Sequence, residues 1–237
     1  MSLSLQPVRI WNATISNRCA FEQIPVYWKD YDTLTFLVNL DIWQPSFSSF
    51  LDHQEKAQEL RYKTDVSRKR FVVSRTILKH ILKRILPVPA LSEITLIRKK
   101  YGGIHIKDVP GMHISLSYSG PWIAITAGKR KIGTDIEVLR PVDIKKTRSC
   151  PLFSCTGAGN GNKRIRHFLW RWTLVEACAK FRDRSMYACL TENDFPPDVD
   201  FVSYCINSTA VFSLACCQDH GKDILLWLDT ADPGIGS

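Results

Sequence analysis

Two acidic side chains, Asp135 and Glu137, stand two residues apart in the run KIGTDIEVL (131–139). A β-strand repeats every two residues, so both carboxylates share one face while Thr134, Ile136 and Val138 take the other. Like charges at that spacing destabilise a half-buried strand, and a cation between them relieves the repulsion; a hard oxygen-ligand ion such as magnesium suits the pair best. A solvated strand face is the alternative, since charged side chains are usually exposed.

A second constellation follows in the run WTLVEACAK (172–180), where Trp172, Glu176 and Lys180 step by four and share one helical stripe. Glu176 and Lys180 can form an ordinary surface ion pair, worth a few tenths of a kcal/mol. They can also divide the work, with Glu176 reaching the cation of Asp135 and Glu137 and Lys180 meeting a phosphate. Spacing leaves both readings open. Upstream, Arg68, Lys69, Arg70 and Arg75 cluster in one helical run, where guanidinium forks suit bidentate phosphate contacts and a solvated basic face is the bland reading. The run HISLSYSG (113–120) offers hydroxyls and backbone donors beside a strand end, either a phosphate cradle or simply a polar turn.

The elements that must position these residues can be read from periodicity. LTFLVNL (34–40) suits a buried strand, residues 48 to 63 a charged helix, and the run after Asp65 a helix with Phe71, Ile77, Leu78, Ile81, Leu82 and Ile85 on its apolar face, ended by Pro87 and Pro89. Residues 93–97 and 113–117 read as strands with a turn at Tyr101-Gly102-Gly103 between them. The apolar runs 122–127 and 131–138, separated by Gly128, Lys129 and Arg130, are expected to form an antiparallel hairpin. The Gly-, Asn-, Ser- and Cys-rich residues 147–163 are expected to form a mobile loop. Ile165, Phe168, Leu169, Trp172 and Ala179 then mark a helix of about five turns. Residues 192–200 read as a loop, and 201–205, 210–216 and 224–229 as closing strands. Strands and helices alternate irregularly, which predicts an α+β fold.

The chain has 237 residues, 45% of them hydrophobic, enough for a sizeable core. No apolar run approaches the ~20 residues of a membrane helix, and Arg9, Arg18, Glu22 and Lys29 interrupt the first thirty residues. The expectation is a cytoplasmic protein with neither signal peptide nor membrane anchor. Eight scattered cysteines then read as reduced thiols, Cys150 and Cys155 lack the second pair that a zinc site needs, and the sequons at Asn12 and Asn207 carry no meaning. A net charge of +9 attracts polyanions without choosing among nucleic acid, a phosphorylated cofactor and an acidic protein. There is no zinc-finger, RNP-type or GXXG signature and no series of stacking aromatics beside the basic helix, so nucleic acid is not the expected partner.

Taken in order, these segments resemble the 4′-phosphopantetheinyl transferases of the surfactin-synthetase-activating type, over roughly residues 34 to 215. RKRFVVSRTILKHIL resembles the arginine helix of that family, KYGGIHI its Tyr-Gly-Lys-Pro turn and ISLSYSG its Ile-Ser-His-Ser-Gly turn. GTDIE resembles Gly-Ile-Asp-Ile-Glu, and WTLVEACAK the Trp-x-x-Lys-Glu-Ala-x-x-Lys helix. The resemblance implies two similar α/β halves, residues 1–130 and 131–237, related by a pseudo-twofold with the active site in the cleft between them. The first half would hold the coenzyme A phosphates, the second the metal and the catalytic helix.

What the resemblance implies chemically is a holo-[acyl-carrier-protein] synthase, a magnesium-dependent monomer that moves 4′-phosphopantetheine from coenzyme A to a serine of an acyl or peptidyl carrier protein and releases 3′,5′-ADP. Asp135, Glu137 and Glu176 would hold the metal. Glu176 would take the serine proton, and Lys180 would bind and neutralise the leaving phosphate. Arg70, Arg75, Ser117 and Tyr118 fall where the family holds the coenzyme A phosphates. Three departures stand out: Tyr118 replaces the family histidine, Gly103 the turn lysine and Val175 the lysine before the catalytic glutamate. Each removes a possible phosphate contact, which keeps a second reading in view, a coenzyme A- or carrier-protein-binding relative with little turnover.

Overall fold

The computed structural model describes residues 9–11, 18–41, 50–87, 91, 94–101, 103–142, 161–191, 195–206, 208–218 and 222–228. Strands β1 (Arg9–Trp11) and β2 (Arg18–Cys19) lead into helix α1 (Ile24–Asp30) and strand β3 (Thr33–Asn39). Helices α2 (His53–Glu59) and α3 (Asp65–Ile85) follow, then strands β4 (Leu96–Arg98), β5 (Ile104–Ile106), β6 (His113–Ser119), β7 (Trp122–Gly128) and β8 (Ile132–Val138). Helices α4 (Gly161–Arg182) and α5 (Met186–Thr191) precede the last strands, β9 (Val199–Ile206), β10 (Ala210–Cys217) and β11 (Asp223–Leu228). The fold is α+β, as expected, and is built on two sheets.

The larger sheet runs β2-β11-β3-β7-β6-β5-β4 and the smaller β1-β9-β10-β8. Alternation along β3 and β7 explains how the larger sheet is covered on both faces. Leu34, Phe36, Val38, Ile123 and Ile125 pack with Val73, Ile77, Ile81 and Leu82 of α3. Leu37, Trp122 and Ala124, one step out of phase, pack with Ile132, Ile136, Phe212 and Leu214 of the smaller sheet. Helix α4 covers the far side of that sheet, Ala177 and Phe181 packing with Val199 of β9 and Ala215 of β10. The result is a stack of helix, sheet, sheet and helix.

Local chemistry sets the element ends. Asp52 and Glu55 form a reciprocal capping box at α2, and the Thr64 hydroxyl caps α3 by accepting from Ser67 N, each cap worth about 1 kcal/mol. Leu86, forced to extended backbone ahead of Pro87, ends α3. The apolar face expected of α3 is buried except for half-buried Ile85, and Ser74, Arg75 and Lys79 are buried with it. Lys79 Nζ reaches Glu55 Oε2 at 2.7 Å and the Phe50 carbonyl at 3.1 Å. Gly120 turns β6 into β7 with φ +54, the conformation that favours glycine in a two-residue hairpin loop.

The hairpin expected from residues 122–138 does not form. Strand β7 pairs with β3 and β6, whereas β8 pairs with β10. Every residue of β7 is buried, so both its edges and both its faces are already taken; the chain leaves the larger sheet after Gly128 and enters the smaller one. The structure also adds elements that periodicity did not reveal, α1, β1, β2, β5 and α5, all of them short. Helix α4 starts at Gly161, inside the segment expected to be a loop. Residues 147–160 of that loop, Cys150, Cys155 and both sequon asparagines lie outside the described residues. Cys19, Cys205, Cys216 and Cys217 carry free thiols. Among the described residues no helix is long and apolar enough to cross a membrane.

Candidate active site

The site is assembled from β8, α4 and β6. Odd-numbered side chains of β8 face α4, and the approach is close because position 133 has no side chain. A Cβ on Gly133 would lie 2.1 Å from the Ala177 carbonyl oxygen and 2.4 Å from Phe181 N. Helix α4 therefore rests directly on the strand, which brings Lys180 and Glu176 to Asp135.

Lys180 Nζ donates to Asp135 Oδ1 and to the Thr134 carbonyl, both at 2.9 Å. It does so in place of the simple Glu176–Lys180 pair that helical spacing offers. Burial pushes the Glu176 carboxyl up to about 8; the Asp135 charge and a hydrogen bond to Asp135 push the same way, Lys180 opposes them, and Glu137 adds to the rise. The protonated form of Glu176, bonded to Asp135, is thereby favoured over the charged one.

From the other side, Ser117 Oγ donates to Asp135 Oδ1 at 2.6 Å and Ser119 Oγ donates to Glu137 Oε2 at 2.7 Å. Arg140 approaches Glu137 at 3.7 Å. The run HISLSYSG is therefore an alternating strand and not a turn. Ile114 and Leu116 enter the core under α3, while Ser115, Ser117 and Ser119 form a buried polar face toward β8. Ser115, Ser119, Arg140 and Gly133 were not singled out from the sequence. The period-two alternation of serines was the available signal for two of them.

The cofactor-binding candidates are divided among three places. Ser117 joins the carboxylates. Tyr118, on the opposite face of β6, meets Ser74 of α3 through its hydroxyl at 3.1 Å. Arg70 lies on the same stretch of α3 and donates to the Gly120 carbonyl at 2.5 Å. Arg75 sits roughly 140° further around the helix. It is 5% exposed, with its Nε 3.9 Å from Glu55 Oε1 and its guanidinium over the Phe71 ring. Trp172 packs in the cluster with Phe168, Val175 and Cys189, and Val175 is 3% exposed there.

The carboxylates also bear on a hard divalent cation. Asp135 Oδ2 is buried and receives no amide, ammonium or serine hydroxyl among the described residues, the Glu176 carboxyl being the other group bonded to Asp135, and the carboxyls of Asp135, Glu137 and Glu176 offer oxygen, the donor such an ion takes. As the side chains stand, no three His, Cys, Asp or Glu among the described residues surround a common point; the positive charge beside Asp135 is the Lys180 ammonium. The residues fit the ion in type, all three being carboxyls.

No protein-family model matches the chain. Among curated proteins, the 4′-phosphopantetheinyl transferase psf-1 of Bacillus pumilus is 20% identical over 140 residues, 58% of this chain and 60% of the relative. The 4′-phosphopantetheinyl transferase Sfp of Bacillus subtilis (strain 168) is 25% identical over 139 residues, 56% of this chain and 61% of the relative. A 4′-phosphopantetheinyl transferase of Bacillus subtilis is 32% identical over 85 residues, 35% and 38% of the two chains. The matches thus span less than two thirds of each relative. By these relatives, as by the motifs of its own sequence, this chain resembles the 4′-phosphopantetheinyl transferases, Sfp among them.

Proposed function

We propose that the chain is a phosphopantetheinyl transferase that moves the 4′-phosphopantetheine group of coenzyme A onto a serine of an acyl or peptidyl carrier protein, with release of 3′,5′-ADP. The observation that supports this reading most directly is the convergence of Asp135, Glu176 and Lys180, contributed by a strand and a helix that sequence separates by a long segment. The relatives' names support the same activity class. The reading includes a monomer working in the cytoplasm, with pseudo-twofold halves at residues 1–130 and 131–237 that exchange a strand each, β11 pairing with β3 and β1 with β9, and the donor lying between them.

Asp135, Glu137 and Glu176 would hold magnesium, which when bound supplies Lewis-acid polarisation of the coenzyme A pyrophosphate and a positive charge that favours ionised carboxyls. Glu176, once ionised, accepts the proton of the carrier serine as its oxygen attacks the β-phosphate. The Lys180 ammonium, oriented by the Thr134 carbonyl and Asp135, neutralises charge on the departing 3′,5′-ADP. Arg70 and Tyr118 on the α3 side would bind the donor's phosphates. Catalysis in this scheme is positioning and charge stabilisation, as in other phosphoryl transfers.

A second reading, binding of coenzyme A or carrier protein with little turnover, is favoured by one observation. Val175 is buried in the apolar cluster of α4 and α5, so no cation stands where the related motif has a lysine. Intact-mass spectrometry of apo carrier proteins incubated with the chain, coenzyme A and magnesium separates the two. A mass gain of one phosphopantetheine, abolished by Glu176→Gln, establishes transfer. No gain across carriers, with calorimetric coenzyme A binding intact, selects the binding reading.

A further inference from the structure

Among the described residues, strand β8 is the last strand of its sheet, paired by β10 on one side only. Its other edge is buried, and a buried row of unpaired amides would be costly. The row is paired with side chains instead of backbone. Thr134 N donates to Ser115 Oγ at 2.9 Å, Ile136 N to Ser117 Oγ at 3.3 Å and Val138 N to Ser119 Oγ at 3.0 Å. Each pair is 19 residues apart in sequence. Edge amides of a strand recur every two residues, as do the side chains on one face of a strand, so three serines can meet three amides in register.

This pairing has a consequence for the carboxylates. A serine hydroxyl has one proton and two lone pairs. Once a lone pair receives the β8 amide, the proton is left to donate, and it goes from Ser117 to Asp135 Oδ1 and from Ser119 to Glu137 Oε2. Asp135 Oδ1 also receives Lys180, while Asp135 Oδ2 receives no amide, ammonium or serine hydroxyl among the described residues. A phosphate could not draw the Ser117 proton without releasing Asp135.

We propose that Ser117 and Ser119 are positioning residues that clamp Asp135 and Glu137 by one oxygen each and so turn Asp135 Oδ2 and Glu137 Oε1 toward the cation. Ser115, Ser117 and Ser119 together act as the missing neighbour strand of β8. The second statement is independent of the magnesium assignment; the first rests on it.

Two readouts on the full chain test the proposal. The first is Mn2+ binding followed by electron paramagnetic resonance of the free ion. Ser117→Ala and Ser119→Ala each weaken it by about 10- to 100-fold, the usual cost of removing a group that orients a metal ligand, and Ser119→Thr restores it. The second is amide hydrogen exchange without metal. Ser119→Ala accelerates exchange at Val138 selectively, and Ser119→Thr restores protection. Unchanged Mn2+ affinity in both alanine variants overturns the clamp. Unchanged Val138 exchange in Ser119→Ala overturns the serine edge. If the unsubstituted chain binds no Mn2+, the cation assignment and the clamp fail together, and hydrogen exchange alone decides the serine edge.

Discussion

Gly133 and Ala177 touch backbone to backbone: a methyl group on the strand residue would lie 2.1 Å from the helix carbonyl. The contact sets how far α4 stands from β8, and thereby whether Lys180 reaches Asp135. Gly133→Ala should destabilise by about 1–3 kcal/mol or more, the range for overpacking. For a chain of this size that lowers the melting temperature by roughly 2–4 °C per kcal/mol. An unchanged melt in differential scanning calorimetry would show that α4 has room to move away without loss.

Glu176 predicts a pH dependence of stability. Its carboxyl is raised from 4.5 to about 8, so between those values the folded chain holds a proton that the unfolded chain has released. The associated stability is complete below about 4.5 and is lost as the pH rises through 8. Melting temperatures measured across that window should fall with pH, and the slope should flatten in Glu176→Gln. Added Mg2+ should recover stability most at the alkaline end. Parallel slopes in the two proteins would show that Glu176 is not the group responsible.

Arg70 and Arg75, both apt for phosphate by sequence, should part company on substitution. Arg70→Ala is expected to weaken coenzyme A binding in calorimetry while leaving the melt within about 0.5 kcal/mol of the original, as surface changes usually do. Arg75→Ala strips a partner from buried Glu55 and should cost about 1–3 kcal/mol. Equal loss of coenzyme A affinity in both variants, with unchanged melts, would return Arg75 to the donor site.

His80 gives the acid limb. It is enclosed by the rings of Phe21 and Phe50. Burial, with Lys83 and Arg84 nearby, pushes its imidazole down from 6.5 to about 4. The unfolded chain takes up a proton in that interval before the folded chain does, so the stability it contributes is present above 6.5 and is lost as the pH falls through 4. His80→Phe should remove this part of the acid sensitivity. An unaltered acid profile would assign that limb to other groups.

The convergence of Asp135 and Glu137 on one strand face, and of Trp172, Glu176 and Lys180 on one helix stripe, follows from periods of 2 and 3.6 and was legible in the sequence. The apolar face of α3 and the closing strands were legible for the same reason. Period says nothing about neighbours, however. The apolar runs of β7 and β8 suit a hairpin or two separate sheets equally, and only the competition of β3 and β6 for the edges of β7 sends β8 to β10.

Side-chain roles divide in the same way. Sequence by itself determined which residues carry charge, that Ser117 and Tyr118 are adjacent, and that Arg70 and Arg75 share a helix. Tertiary structure decided that Ser117 serves Asp135 while Tyr118 faces α3, that Arg75 is buried beside Glu55, and that Lys180 turns to Asp135 and not to Glu176. The physical reason is that a hydrogen bond or ion pair depends on which groups lose water together, and that is set by the packing of α4 on Gly133 and of β6 on β8, contacts between segments with no local signature.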